Sequence, residues 1–294
     1  MKKLFVIFTL MAALLSCSKE IDTHNVQKAD PRLTFELLYP NATKADATGF
    51  STNDKVGVYV YESTEPLQLA GNTVNNSLLV HNGSTWDPAK AVFWDSNATY
   101  NVAAYYPYIS EVKSVKEHPW SVQLNQNAPA TTESLNGYEA SDFLWAGVES
   151  AQPSDTPVGL TFSHRLSCLR VNLVTGEHYD GDLPDADDIE VYVHSTVPEA
   201  FVDFETGFVT KDYTQRAKTI RAHSDGNYSY SAIIIPQLVN DISPMVEVVM
   251  NGVSYLFEKR FSYKMNTLHQ VTITIDKSPS QIKIEIGGEI QNWN

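Results

Sequence analysis

The chain consists of short runs in which apolar residues recur at every second position, and that period restricts its fold more than any other feature. Leu33, Phe35, Leu37 and Tyr39 fall on one side of an extended segment, with Thr34 and Glu36 opposite. Val56, Val58 and Val60 alternate with Gly57, Tyr59 and Tyr61, and Tyr100, Val102, Ala104 and Tyr106 repeat the pattern until Pro107 ends it. Ile189-Val191-Val193, Val246-Val248-Met250, Val271-Ile273-Ile275 and Ile282-Ile284-Ile286 follow. Successive strand side chains point to opposite faces, so each run reads as a half-buried strand with an apolar inner face. Gly, Asn, Asp, Pro and Ser punctuate the runs, and Asn251-Gly252 between two of them predicts a type I′ hairpin. No long segment of period 3.6 competes. The expectation is an all-β sandwich.

The N-terminus addresses the compartment. Lys2 and Lys3 precede an apolar run, Leu4 to Leu15, that is too short to span a bilayer and reads as a signal peptide over residues 1–16. It ends in Leu14-Leu15-Ser16-Cys17, a lipoprotein signal: small Ser16 permits cleavage, and the Cys17 thiol can carry a diacylglycerol. Lipid at Cys17 would hold the chain on the outer membrane without a spanning segment. Residues 17–31 are polar and aperiodic, a flexible tether. Cys168 is then unpaired, so the body must hold together by packing rather than disulfides.

At 294 residues the chain is long enough for about two domains. The polar, proline-rich stretch Gln152-Pro153-Ser154-Asp155-Thr156-Pro157 places a junction there, giving expected sandwiches over 32–155 and 156–294. Acidic residues outnumber basic ones 35 to 21, for a formal charge of −14, which argues against nucleic acid or an anionic lipid surface as a partner.

Candidate chemistry is sparse. Among eight histidines there is no His-Glu-x-x-His, and neither Cys-x-x-Cys, Gly-x-Ser-x-Gly nor a phosphate-binding glycine loop occurs. Ser163 and His164 are adjacent on a strand and point to opposite faces, so His164 reads as structural rather than as a catalytic base. The carboxylates from Asp180 to Asp188 miss the spacing of a helix-loop-helix calcium site and read as a solvated loop. Trp86, Trp94, Trp120 and Trp145 could form a sugar platform, but their places in or beside strands favour the core. Cys168 reads as structural. The sequence therefore points to no catalytic residue, metal or cofactor, and to a protein that is not an enzyme.

The order of short motifs resembles the fimbrillin family, the type V pilins of Bacteroidota. Ala42-Thr43-Lys44-Ala45 and Asp54-Lys55-Val56-Gly57-Val58-Tyr59 are similar to the family's Thr-Arg-Ala and Gly-Asp-x-Ile-Gly-Val-Tyr. Val92-Phe93-Trp94, Tyr100-Asn101-Val102-Ala103-Ala104-Tyr105-Tyr106-Pro107 and Asp142-Phe143-Leu144-Trp145-Ala146 resemble the next blocks. Leu160-Thr161-Phe162-Ser163-His164-Arg165-Leu166, Ile233-Ile234-Ile235-Pro236-Gln237 and a closing Trp293 complete the series.

The resemblance implies two tandem transthyretin-like, Greek-key β-sandwiches in an outer-membrane, cell-surface lipoprotein of a fimbria. It also implies assembly with other pilus subunits by strand exchange, after an arginine- or lysine-directed protease removes the N-terminal strand. Here the displaced strand would carry Leu33, Phe35, Leu37 and Tyr39, ahead of a candidate cut between Lys44 and Ala45. Burial of those four side chains would contribute roughly 6–12 kcal/mol. A donor carrying Ile282, Ile284 and Ile286, turning at Gly287-Gly288, could fill the places left. Position 44 is lysine where the best-known members have arginine; either a lysine-tolerant protease acts, or the chain stays uncut and serves as the lipid-held anchor. The alternative on the same fold is a tip adhesin or glycan-binding surface lipoprotein that meets host or bacterial ligands.

Overall fold

The computed structural model describes residues 31–40, 49–88, 90–95, 98–276, 283–291 and 293. In chain order the strands are β1 (Phe35–Leu38), β2 (Lys55–Glu62), β3 (Val74–His81), β4 (Trp86–Pro88), β5 (Tyr100–Tyr106), β6 (His118–Ser121) and β7 (Leu144–Ala151). Then come β8 (Val158–Thr161), β9 (Ser163–His164), β10 (Ser167–Thr175), β11 (Glu190–Thr196), β12 (Glu199–Val202), β13 (Val209–Lys211) and β14 (Lys218–Arg221). The last are β15 (His223–Gly226), β16 (Ser229–Ile234), β17 (Gln237–Met250), β18 (Val253–Tyr263), β19 (Thr267–Ile275) and β20 (Lys283–Gln291). Among the described residues the only helices are 3₁₀ turns at Glu139–Ser141 and Ala186–Asp188. The all-β reading holds.

Three sheets make the body. A six-stranded sheet runs β4-β3-β2-β5-β7-β9, a five-stranded one β15-β16-β10-β19-β20, and a four-stranded one β14-β11-β17-β18. A three-stranded sheet, β13-β12-β6, ties β6 to a strand some eighty positions later in sequence, and β1 pairs with β8 alone. The β17–β18 hairpin turns where expected, with Asn251 at φ 50° and Gly252 at φ 73°, the left-handed conformations that a type I′ turn requires.

At the centre of the six-stranded sheet β2 and β5 are buried on both faces, which corrects the half-buried expectation for them. Val56, Val58 and Val60 pack into a smaller cluster with Tyr100, Val102, Ala104, Leu144, Leu160 and Phe162. The opposite face sends Tyr59, Tyr61, Ala103 and Tyr105 into a larger cluster shared with the C-terminal strands. Phe204, fully buried on the loop after β12, meets that face. Its ring lies 4.3 Å from Tyr105, 6.2 Å from Tyr59, 6.1 Å from Phe143 and 5.4 Å from His118, distances at which aromatic rings attract beyond their buried area.

Polar contacts close the same seam. Trp145 Nε1–H donates to the Phe204 carbonyl at 2.7 Å, the Arg165 guanidinium lies 4.6 Å over the Trp145 ring, and Lys116 pairs with Glu205. Gly207, at φ 69°, admits the Trp145 ring where a Cβ would stand 2.6 Å from it. Gln126 is buried and works as a piece of backbone: its Nε2–H donates to the Ile233 carbonyl and its Oε1 accepts the Ile233 N–H, each at 2.7 Å.

Residues 158–164, beyond the expected junction, pair with β1 and β7 and bury Leu160 and Phe162 in the smaller cluster. The stretch from Gly287 to Gly288 also differs from expectation. It is a bulge inside β20, opposite the irregularity between His269 and Val271, and not a turn. An edge strand tolerates such an insertion because its outer side makes no ladder.

Replacing Phe204 by Ala should lower unfolding free energy by about 3–5 kcal/mol in urea denaturation, from lost ring contacts and the cavity left behind. Phe208→Ala, on a ring that is 58% exposed, should change it by no more than about 0.5 kcal/mol.

Candidate functional site

The region that bears on function is where the N-terminal segment enters the smaller cluster. Its first part is clamped antiparallel to residues 92–94: Leu33 N–H donates to the Val92 carbonyl at 3.0 Å, and Trp94 N–H to the Pro31 carbonyl at 2.9 Å. It then runs parallel to β8, with Phe35 opposite Val158 and Leu38 opposite Thr161. Val158 N–H donates to the Thr34 carbonyl at 2.8 Å and Phe162 N–H to the Leu38 carbonyl at 2.9 Å. Leu33 and Leu37 are buried, Phe35 and Tyr39 half-buried against the same cluster, and Glu36 and Leu38 exposed. Among the described residues β8 has β1 as its single ladder partner.

Aromatic rings close the far end. Phe50 lies 5.2 Å from Tyr39, 4.9 Å from Trp86, 5.6 Å from Tyr106 and 5.3 Å from Phe162, mostly edge to face. Burial and the nearby Asp142 carboxylate push the Tyr39 hydroxyl above its ordinary range, so it stays neutral. Asp54 and Glu139, near the same rings, are held above the usual carboxylate range by burial.

His164 sits beside this end at 2% exposure. Its Nδ1 lies 2.7 Å from Asp142 Oδ2, an ion-pair distance reached off the line of a hydrogen bond, while Nε2–H donates to the Trp293 carbonyl at 2.9 Å. The Trp293 indole stacks on the imidazole at 3.9 Å and 12°, and Tyr39 meets it edge-on at 6.1 Å. Ser163 Oγ turns to the Trp145 carbonyl instead, as opposite strand faces require.

Of the donor residues named from sequence, Ile284 is half-buried and Ile286 is 41% exposed, both on β20, which pairs with β19 at the edge of its sheet. Cys17, Lys44, Ala45 and Ile282 lie outside the described residues. Trp94 and Trp120 are buried, and Trp86 and Trp145 half-buried within aromatic contacts. Asp180, Asp182, Asp185, Asp187 and Asp188 are exposed; among the described residues no group of three or more His, Cys, Asp or Glu side chains is placed to hold a metal ion. Burial pushes the Cys168 thiol up to about 12, which keeps it protonated and unreactive.

The parallel β1–β8 pairing, the Phe50 ring cluster and the Asp142–His164–Trp293 contact escape sequence reasoning. Only the closing Trp293 and the His164 strand position offered a signal.

The described residues thus form an all-β body with an N-terminal strand laid on an edge that pairs with nothing else among them. Residues 43–293 match the model of the fimbrillin-like family, and the chain belongs to that family. Membership makes it a pilus- or adhesion-related protein of the cell surface and not an enzyme. No curated protein matches it in sequence. Its fold is similar to crystal structures of two candidate cell adhesion proteins. For that of Bacteroides ovatus the TM-score is 0.68 at 16% identity, over 90% of this chain and 98% of the other. For that of Bacteroides uniformis it is 0.66 at 18% identity, over 91% and 100%. A fimbrial protein of Bacteroides ovatus aligns at TM-score 0.53 and 15% identity, over 83% of this chain and 48% of its own.

Two buried histidines give the body a pH dependence. His118 Nδ1 accepts the Lys113 N–H and His269 Nε2 the Lys264 N–H, each at 3.1 Å, so both must be unprotonated on the accepting nitrogen. Burial lowers both below the ordinary histidine range; Lys113 adds to this at His118, and at His269 Lys264 and Glu289 act in opposite directions. The unfolded chain takes up these protons near pH 6.5, about the free value, and the folded chain only below it, so the unfolded state binds more protons and stability falls as pH drops below about 6.5. A double His118→Asn, His269→Gln variant keeps acceptors in both places, and its melting temperature should fall less than the parent's between pH 7 and pH 5.

Proposed function

We propose that the chain is a structural subunit of a cell-surface pilus, exported as a lipoprotein through Cys17 and joined to its neighbours by β-strand exchange at the β8 edge. The observation that carries this reading is the two-stranded β1–β8 sheet. Withdrawing residues 31–40 strips β8 of its one ladder partner among the described residues and empties the sites of Leu33 and Leu37, yet leaves the ladders of the three larger sheets intact. The result is an apolar groove beside an open edge, the template for strand addition. Filling the two leucine sites again would contribute roughly 3–6 kcal/mol.

The candidate cut at Lys44-Ala45 falls between Pro40, the last described residue of the segment, and Gly49. Cleavage there would detach the strand covalently, and β20 with Ile284 and Ile286, together with Ile282 before it, is the donor we favour for the next subunit. A chain left uncut would keep both strand and lipid and serve as the anchor. The burial of Trp94 and Trp120 favours the pilus reading over a sugar platform built on these tryptophans.

The test is the N-terminus of the protein recovered from the cell surface, read by mass spectrometry, together with the fibre content of a Lys44→Ala strain. Recovery of chains that begin at Ala45, with fibres lost on Lys44→Ala, is expected for a polymerising subunit. Lipid-modified Cys17 as the sole N-terminus, in cells that still make fibres, would assign the anchor. A chain with neither N-terminus and no association with fibres would overturn the proposal.

A further inference from the structure

We propose that His164 is a latch coupling the N-terminal strand to the C-terminal one: while Tyr39 covers the imidazole, Trp293 stays docked and β20 stays on β19, and loss of Tyr39 releases both. The inference rests on the strand-removal reading above and adds how the donor would be freed.

Three segments distant in sequence meet at this imidazole. Tyr39, one residue past β1, covers it edge-on, Asp142 faces Nδ1, and the Trp293 indole and carbonyl occupy its face and Nε2. With His164 at 2% exposure and Trp293 at 3%, water is excluded from the Nε2–H hydrogen bond to the Trp293 carbonyl, which strengthens it. Removing the Tyr39 ring opens one side of that enclosure, and water then competes for the Nε2–H that holds the Trp293 carbonyl.

β20 is held by its ladder with β19 and by Ile284, half-buried against the larger cluster, and among the described residues its outer side is bare. It forms the outermost ladder of its sheet, a bulge interrupts its pairing, and from Glu285 to Gln291 every residue is exposed. The Lys264–Glu289 ion pair near its end is half-exposed on both sides and holds weakly. Trp293 is the buried anchor just past this exposed stretch, and the proposal assigns to it the balance between a docked and a released strand.

Hydrogen exchange of the full chain tests this without any cleavage. In Tyr39→Ala, amide exchange over 283–291 should rise about tenfold, while the amides of β16 keep their rates. Tyr39→Phe, which retains the ring, should behave as the parent. Coupling is reciprocal, so Trp293→Ala should speed exchange at the Val158 and Phe162 amides, which donate to Thr34 and Leu38. Unchanged β20 exchange in Tyr39→Ala, or an equal rise in β16 that signals global loosening, overturns the latch. A further sample, nicked after Lys44 by a lysine-specific protease, separates the two readings. If residues before Ala45 fail to dissociate, strand removal fails, and the Tyr39→Ala result still decides the latch. If they dissociate and β20 exchange stays as before, the latch alone is overturned.

Discussion

Burial of both faces of β2 and β5, at the centre of the six-stranded sheet, is the constraint on which the remaining structure depends. A sheet with one wet face can be completed by a single layer, but here β2 and β5 must be covered twice. Val56, Val58 and Val60 require the smaller cluster, and Tyr59, Tyr61 and Tyr105 require whatever brings Phe204. The tyrosine face fits because Gly57 lacks a side chain: a Cβ there would stand 2.3 Å from the Tyr105 ring. Tyr105 in turn ends its hydroxyl on Asn76 Oδ1 at 2.6 Å, so a large ring is buried without stranding its polar end. The C-terminal strands are thereby joined to the N-terminal sheet through a common core, and the side chain of Gln126 adds a backbone-like link to β16.

That constraint explains which piece of the fold can be spared. β2 and β5 each serve two clusters and two ladders, so neither can leave without opening both. β1 serves one cluster and one ladder. Its parallel pairing with β8 bridges more than a hundred positions of sequence, so the contact gives the strand no local reason to be there, only a groove of the right depth. On the strand-exchange reading, a segment held by a groove rather than by its neighbours in sequence is the one that another of the same alternation would replace.

Much of this was legible from period two alone. The pattern placed Leu33 and Leu37 inward, found the runs that became β2, β5, β11, β17, β19 and β20, and put the β17–β18 turn at Asn251-Gly252. It misjudged β2 and β5 because alternation was taken to mean one wet face, whereas Tyr59, Tyr61 and Tyr105 on the other face are covered by residues from far along the chain, Phe204 among them. It read Gly287-Gly288 as a turn because two glycines signal one, whereas an edge strand can absorb the same pair as a bulge. His164 and Trp293, 129 positions apart, carry no local pattern that would join them. The all-β class lies in local alternation, while the candidate site lies in contacts between segments that only the folded chain brings together.

On the strand-exchange reading, the groove poses a problem that the position of Trp293 answers. A body stripped of residues 31–40 shows an unpaired β8 edge and an empty apolar cleft, the surface most prone to capture the wrong strand. Exposure is shortest when the donor becomes available in the same event that opens the acceptor. Tyr39 touches both: its chain neighbours line the groove, and its ring covers the imidazole on which Trp293 is docked. A subunit still carrying its N-terminal strand therefore keeps its donor folded down as well as its groove filled, and assembly before cleavage is disfavoured at both ends by one side chain.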